Sequence, residues 1–380
     1  MYCEKFKKLL LCLIVFSFSC NAYSAIVPSP PELNASSHIL IDYNSGRILA
    51  QNRINERIEP ASMTKMMTVY VIASALKEGQ IKSEDLVTIS EKAWRTEGSK
   101  MFIEANKQVS VDDLLKGVII QSGNDASVAL AEYIAGTEEV FATIMNQYAA
   151  ELRLQNTHFT NSSGLPDENH YSSAWDLAVI ASSLIREFPD IYTYHSIREF
   201  TFNGIRQHNR NGILSRDDSV DGIKTGYTES AGYCLVASAR RGDMRLISVV
   251  AGTPSSDARA SATQSLLNYG FRFFTTEKIF SAEQSVVSAR VWKGDLDSIN
   301  IGTAQDLWVT VPRGKSKDLD KNIELQPTII APTLKGAIIG HINISFDGEE
   351  LAVRPLIALE SVRQGDLLGR VMDDIRLLFQ

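Results

Sequence analysis

The strongest constraint on the fold is a change of period part-way along the chain. From Ile26 to about Thr276, helical and strand-like stretches alternate with no low-complexity insert or repeat, which predicts a single α/β domain. From Glu277 onward, apolar residues recur at every second position, as in Leu307-Trp-Val309-Thr-Val311 and Ile342-Asn-Ile344-Ser-Phe346. Pro312, Gly314 and the pair Asp347-Gly348 punctuate these runs. Residues 277–365 therefore read as a small all-β domain. The last stretch, Asp366 to Gln380, returns to helical spacing: Leu367, Leu368, Val371, Met372, Ile375, Leu378 and Phe379 fall on one face, with Arg370, Asp373, Asp374 and Arg376 opposite. Such a helix needs an apolar partner, either the β domain or a membrane interface.

The first residues supply Lys5, Lys7 and Lys8, then the apolar run Leu9 to Phe18, then small or polar residues. This order predicts a secretory signal over residues 1–24, too short to read as a spanning helix. Cleavage after Ser24 leaves Ala22 and Ser24 at the small-residue positions, although cuts after Ala22 or Ala25 also fit. Ser17-Phe-Ser19 before Cys20 lacks the pattern that a lipoprotein site requires. Cys3, Cys12 and Cys20 all lie in this leader, so the mature chain keeps only Cys234 and forms no internal disulfide. Stability has to come from packing, for which about 355 residues are ample. Loss of the three lysines and Glu4 takes the formal net charge from −7 to −9. An acidic chain without long basic runs is a poor nucleic-acid ligand.

Three short motifs carry chemistry. In Pro60-Ala-Ser62-Met-Thr-Lys65, the serine and lysine stand three residues apart at the start of an apolar helical run, Met66 to Leu76, so they share a face. A helix start favours negative charge at Ser62, and burial drives a lysine toward the neutral amine that can take the serine proton. In Ser122-Gly-Asn124, a glycine breaks two apolar helical stretches, so that Ser122 can relay a proton and Asn124 can donate to a substrate carbonyl. In Lys224-Thr225-Gly226, on an expected strand beside Tyr233–Ala239 and Leu246–Ala251, the glycine admits an extended ligand to the strand edge and the lysine supplies fixed positive charge. Each motif alone also has an ordinary reading as a snorkelling lysine, a capped turn or a strand end.

In order, and on helix, loop and strand, the three motifs resemble the set found in penicillin-recognising enzymes. The likeness extends to Asn156-Thr-His-Phe159, Tyr171-Ser-Ser-Ala174, Phe200-Thr-Phe-Asn-Gly-Ile-Arg-Gln207, Asn209-Arg-Asn-Gly212 and Asp221-Gly-Ile-Lys224-Thr-Gly226. The chain resembles the D-alanyl-D-alanine carboxypeptidases among the low-molecular-mass penicillin-binding proteins over nearly its whole mature length. That resemblance implies an α/β transpeptidase-like domain with an antiparallel sheet and a helical cluster (25–276), a β-rich domain (277–365) and an amphipathic membrane-anchoring helix (366–380). It implies peptidoglycan stem peptides and β-lactam antibiotics as partners, no cofactor or metal, and a place on the periplasmic face of the inner membrane.

By the same resemblance, Ser62 is the acylated nucleophile, Lys65 its base, and Ser122 the group that passes a proton to the leaving D-alanine, with Asn124 beside them. The N–H groups of Ser62 and Tyr227 form the oxyanion hole, and Thr225 with Arg259 holds the terminal carboxylate, next to Lys224 and Gly226. Arg259 lies in Ser255-Ser-Asp-Ala-Arg259, which reads as surface. Tyr227 and Ser163 stand where relatives carry histidine, so no imidazole is available at either place.

Other functions fit less well. A β-lactamase needs a deacylating base, and the one carboxylate in the expected loop that draws notice, Glu168, lacks the usual sequence around it. The six histidines show no close metal-ligand spacing. Cys234 follows an aromatic residue on an apolar strand and reads as a buried small residue. A non-catalytic wall-binding module would not need all the motif residues intact.

Overall fold

The computed structural model describes residues 27–379, so the expected leader lies outside the described residues. The centre of the first domain is a five-stranded antiparallel sheet. Its strands are β1 (Ser37–Asp42), β2 (Ile48–Asn52), β3 (Val220–Thr228), β4 (Gly232–Arg241) and β5 (Met244–Thr253), in the spatial order β2-β1-β5-β4-β3. The two apolar segments expected to pair do so as β4 and β5, with Val236 opposite Val249.

Alternation along these strands feeds two cores. Ile39, Ile41, Val236, Ile247 and Val249 face one side of the sheet, and Leu40, Leu235, Ala237, Leu246 and Val250 face the other. The first side is covered by α1 (Lys65–Lys77), α2 (Asn124–Ala135), α3 (Glu138–Glu151) and α4 (Ala174–Glu187). The second is covered by α5 (Ser256–Phe273), through Leu266 and Leu267. The sheet is thus buried on both faces. The strand with Lys224-Thr225-Gly226 lies at its edge, with its free side toward the helical cluster.

The β domain begins at β6 (Phe274–Phe280), directly after α5 and three residues ahead of the change of period at Glu277. It continues through β7 (Ser285–Trp292), β8 (Ser298–Thr303), β9 (Leu307–Pro312), β10 (Leu319–Leu325), β11 (Ile329–Ile330), β12 (Ile338–Phe346) and β13 (Glu349–Ala358). Strands β6 and β9 form one pair. The other six form a sheet in the order β10-β12-β13-β8-β7-β11, in which only the short β7–β11 pair is parallel among those described. Leu307, Val309, Ile342 and Ile344 supply its core as the period of two requires. Asp347 and Gly348 both take positive φ, 50° and 80°, as a two-residue hairpin turn needs.

Thr310 departs from the alternation, being buried although it stands between two inward-facing valines. Its hydroxyl lies 2.8 Å from that of Thr276, which donates to the buried carboxylate of Asp42 on β1 (2.7 Å). Polar residues here join the two domains, so their burial is satisfied.

The final helix, α6 (Leu367–Leu377), is capped by Asp366, whose carboxylate accepts from Gly369 N–H at 2.7 Å. Asp373 accepts from Lys293 N–H (2.7 Å) and pairs with Arg290 (3.3 Å), while Asp374 pairs with Lys293. The polar face thus docks on the β domain, and none of the helical residues is buried. Among the described residues, no helix is long and apolar enough to cross a membrane.

Candidate active site

Ser62 lies in a 3-10 turn, Ala61–Thr64, and the α-helix proper starts at Lys65. The sequence places Ser62 on an α-helix; the tighter turn instead eclipses positions three apart, and Lys65 Nζ comes 3.1 Å from Ser62 Oγ. Two neighbours press on this turn. A Cβ on Gly164, itself at φ +81°, would lie 1.8 Å from Ala61 O, and one on Gly226 would lie 3.0 Å from Pro60 O. Gly226 therefore lets the edge strand approach the protein's own nucleophile turn, beyond the ligand access expected of it.

Lys65 is fully buried. Besides Ser62, its Nζ contacts Asn124 Oδ1 at 2.7 Å and the carbonyl of Ser163 at 2.6 Å. Both of these atoms only accept. Two N–H bonds of a neutral amine satisfy them and leave its lone pair for the Ser62 hydroxyl. Burial lowers the lysine pKa to about 7, against opposing pulls from Asp125 and Glu138.

The break between the second-motif helices differs from the simple glycine hinge. The helix Val111–Lys116 ends in one wide turn, Gly117–Gln121, and the left-handed residue is Ser122 itself, at φ 66°. Gly123 has φ −61°. Its lack of a side chain serves packing, since a Cβ would lie 2.8 Å from Asp125 Oδ1. A non-glycine residue held at positive φ is costly and recurs at functional sites. Here it turns Ser122 Oγ to within 2.9 Å of Lys224 Nζ.

Asn124 serves Lys65 through its oxygen, and its amide donates to Glu97 O at 2.7 Å. Only the second amide hydrogen is left for a substrate carbonyl.

Lys224 is also buried, and a positive charge there carries a desolvation cost. Burial, then Lys65, Arg210 and Arg259, push its ammonium well below the usual lysine range. A cavity of about 360 Å³ is lined by Ser62, Ser122, Thr225, Gly226, Tyr227 and Arg259, together with Ser99, Arg210, Tyr233 and Ser256. Arg259 sits in the first turn of α5, half-buried rather than on open surface. It donates to Cys234 O at 3.3 Å and lies 5.7 Å from the ring centre of Tyr233. Tyr227 is exposed and packs against Tyr233, with 4.3 Å between ring centres and the rings tilted by 37°.

Several contributors escaped the sequence reading. The Ser163 carbonyl has no side-chain signature. Asp125 carries one only in hindsight: its buried carboxylate accepts the N–H groups of Met101 (2.9 Å), Phe102 (3.0 Å) and Ile103 (3.4 Å) and so fixes the loop that contacts Asn124. His170 accepts Thr160 N–H at Nδ1 (3.1 Å), which puts its proton on Nε2, toward Thr64 Oγ1 (2.8 Å). Burial keeps it neutral, with a pKa of about 4. Glu168 is exposed and does not line the cavity. Cys234 is buried in the sheet, and burial raises its thiol pKa.

Residues 24–255 match the family model described as D-alanyl-D-alanine carboxypeptidase, and residues 274–364 match the penicillin-binding protein 5 C-terminal domain. The D-alanyl-D-alanine carboxypeptidase DacA of Escherichia coli (strain K12) is 45% identical over 362 residues, 93% of this chain and 90% of that protein. The crystal structure of penicillin-binding protein 5 from Haemophilus influenzae, also 45% identical, superposes with a TM-score of 0.85 over 89% of this chain and all of that one. Penicillin-binding protein D2 from Listeria monocytogenes, solved in an ampicillin-bound form, is 27% identical, with a TM-score of 0.59 over 63% of this chain and all of that one. With both models matching in order and the Ser62–Lys65–Ser122–Lys224 cluster assembled on one cleft, the chain belongs to the D-alanyl-D-alanine carboxypeptidase family of serine peptidases.

Proposed function

We propose that this enzyme removes the terminal D-alanine from peptidoglycan stem pentapeptides through an ester on Ser62, limiting cross-linking, and that penicillins trap the same serine. The observation that carries the reading is the placement of Lys65 Nζ, with two N–H acceptors and the Ser62 hydroxyl around it. In acylation, Ser62 Oγ attacks the carbonyl of the penultimate D-alanine while its proton passes to the Lys65 amine. Oxyanion charge falls on the N–H groups of Ser62 and Tyr227. The C–N bond to the terminal residue then breaks, and its nitrogen takes a proton by way of Ser122, which Lys224 orients. Thr225 and Arg259 hold the carboxylate of the departing D-alanine. Water cleaves the ester, returning Ser62 and the shortened peptide. In a penicillin the broken C–N bond lies in the lactam ring, so the leaving nitrogen stays tethered.

The enzyme's place is the periplasmic face of the inner membrane. Residues 1–24 act as the export signal, and the 366–380 segment lies in the lipid interface. What supports the anchor is the orientation of α6: Asp373 and Asp374 bind the β domain, while Leu367, Leu368, Leu378 and Phe379 are at least 70% exposed. Seven large apolar side chains on one free face suit insertion among acyl chains.

Release of D-alanine from a pentapeptide, together with mass spectrometry after penicillin treatment, tests the chemistry. We expect one equivalent of adduct on the peptide containing Ser62. An adduct elsewhere, or no D-alanine release by the wild type, would refute the proposal.

A further inference from the structure

A second cavity, of about 600 Å³, opens at the junction of the two domains. Its walls come from three places: Tyr43 and Asn44 just after β1, Arg240 and Asp243 at the β4–β5 hairpin, and Trp308 on β9 of the β domain. The protein's own contacts hold these walls in place. Tyr43 N–H donates to Arg245 O (2.8 Å) and the Asn44 amide donates to Asp243 O (2.7 Å), which ties the turn after β1 to the hairpin. The same turn is tied to the β domain, where Ser45 Oγ lies 2.7 Å from Thr310 Oγ1 and Arg47 donates to Thr310 O at 2.7 Å. Trp308 stands opposite Lys278 in the β6–β9 pair, with the lysine ammonium 4.9 Å from its ring centre.

The charges around this cavity cancel. Arg245 pairs with Asp221 (2.7 Å) and Lys278 with Asp306 (2.6 Å). Two groups of opposite charge remain. Arg240 gives its Nε to Gly242 O (2.9 Å), but among the described residues its terminal nitrogens have no partner, and neither has the carboxylate of Asp243. A free donor and a free acceptor thus stand beside two half-buried aromatic rings, those of Tyr43 and Trp308. An anion gains little from so balanced a field. A sugar fits it: hydroxyls both donate and accept, so they need partners of both kinds, and the apolar C–H face of a pyranose ring lies flat on an aromatic one. The volume suits a small ligand, and domain junctions are a usual place for such sites.

We propose that this cavity is a carbohydrate-binding site that takes the glycan chain of peptidoglycan, with Trp308 and Tyr43 as platforms and Arg240 and Asp243 as partners for hydroxyls. The choice of that glycan rests on the carboxypeptidase reading above, whereas the fit to a sugar rests on the cavity alone. Strand β4 runs from one site to the other. Tyr233 lines the Ser62 cleft and Arg240 lines this cavity, seven residues along an extended strand, or roughly 23 Å. A five-residue stem spans at most roughly 18 Å. A soluble pentapeptide held at Ser62 therefore does not reach the second site, and only a polymeric substrate engages both.

The test uses the full chain with Trp308→Ala, Asp243→Ala and Arg240→Gln. Binding of chitotetraose, the tetramer of N-acetylglucosamine, is read by calorimetry, and D-alanine release is compared between intact sacculi carrying pentapeptides and the soluble pentapeptide. Arg240 and Asp243 are exposed, so their variants keep the fold even if Trp308→Ala disturbs the domain junction. We expect the wild type to bind the tetramer and each variant to weaken that binding about tenfold, as loss of an aromatic platform or a charge-assisted bond implies. KM for sacculi should rise by a similar factor, while kcat/KM for the soluble pentapeptide stays within about twofold, since that substrate does not touch the cavity. A wild type that does not bind the tetramer, variants that bind it equally well, an equal loss on sacculi and pentapeptide, or displacement of the tetramer by inorganic phosphate would overturn the assignment. A wild type that binds the tetramer but releases no D-alanine from the pentapeptide would instead remove the carboxypeptidase reading and leave the sugar site standing.

Discussion

Helices α1 and α6 are built from similar materials and meet opposite fates. In α1, residues from Lys65 to Ala75 are all buried, and a lysine is drawn into the interior with them. In α6, no residue is buried, and Leu367, Leu368, Val371 and Met372 face outward. Each helix breaks the ordinary rule that charges stay out and apolar groups go in. In the proposed mechanism burial makes Lys65 a base, because taking a charge from water is costly and the neutral amine avoids that cost. In the proposed anchor exposure makes α6 adhesive, because large apolar patches seek a partner. The difference also separates chemistry from location: damage at α1 should stop turnover, while damage at α6 should move an intact enzyme.

The largest effect belongs to Ser62→Ala, which should abolish D-alanine release and the penicillin adduct while leaving the thermal midpoint near that of the wild type. Thermal unfolding and mass spectrometry check both halves, and persistent adduct would dissolve the assignment of chemistry to the α1 region. Arg259→Ala should cost roughly 1.5–3 kcal/mol in kcat/KM for the free-acid peptide, about tenfold to a hundredfold, with the fold retained. Unchanged hydrolysis would return Arg259 to a packing role against Tyr233.

Gly164→Ala tests the packing beneath the nucleophile. Its Cβ would overlap Ala61 O, and its φ of +81° disfavours any side chain, so we expect a loss of roughly 2–4 kcal/mol in stability by denaturant unfolding. A near-neutral result would show that the turn at Ser62 can shift. Truncation after Gln364 should have the smallest effect on catalysis, leaving kcat/KM for a soluble peptide within about twofold, because α6 pairs with Arg290 and Lys293 of the β domain and lines no part of the Ser62 cleft. The same truncation should move the enzyme from the membrane fraction to the soluble fraction. Each large apolar side chain buried in lipid contributes at most about 1.5–3 kcal/mol, and two arginines against three aspartates leave little attraction to anionic lipid. High salt alone should therefore not release the full chain. Release by salt, or retention of the truncated chain, would end the contrast.

The same two helices show how far the sequence carries. The continuous apolar run after Lys65 and the one-sided stripe after Asp366 were both visible in the sequence, and the order of motifs brought Ser62, Lys65, Ser122 and Lys224 into one expected site. Neighbour effects were not visible. Ser122, and not Gly123, takes the left-handed conformation, while Gly123 is hemmed in by Met101 and Asp125. That Ser163 serves Lys65 through its carbonyl leaves no mark on residue type. Thr310 broke an otherwise correct strand pattern because a second domain met it there.

The central claim, that burial turns Lys65 into the base for Ser62, is tested most directly by the pH dependence of penicillin acylation. The amine must be neutral to accept a proton, so with a pKa of about 7 the acylation rate should be low at pH 5, rise tenfold per pH unit, and level off above the pKa. Lys65→Arg, whose side chain stays protonated, should be as inactive as Lys65→Ala across the range. A rate already at its plateau at pH 5, or an arginine variant that still acylates, would contradict the account.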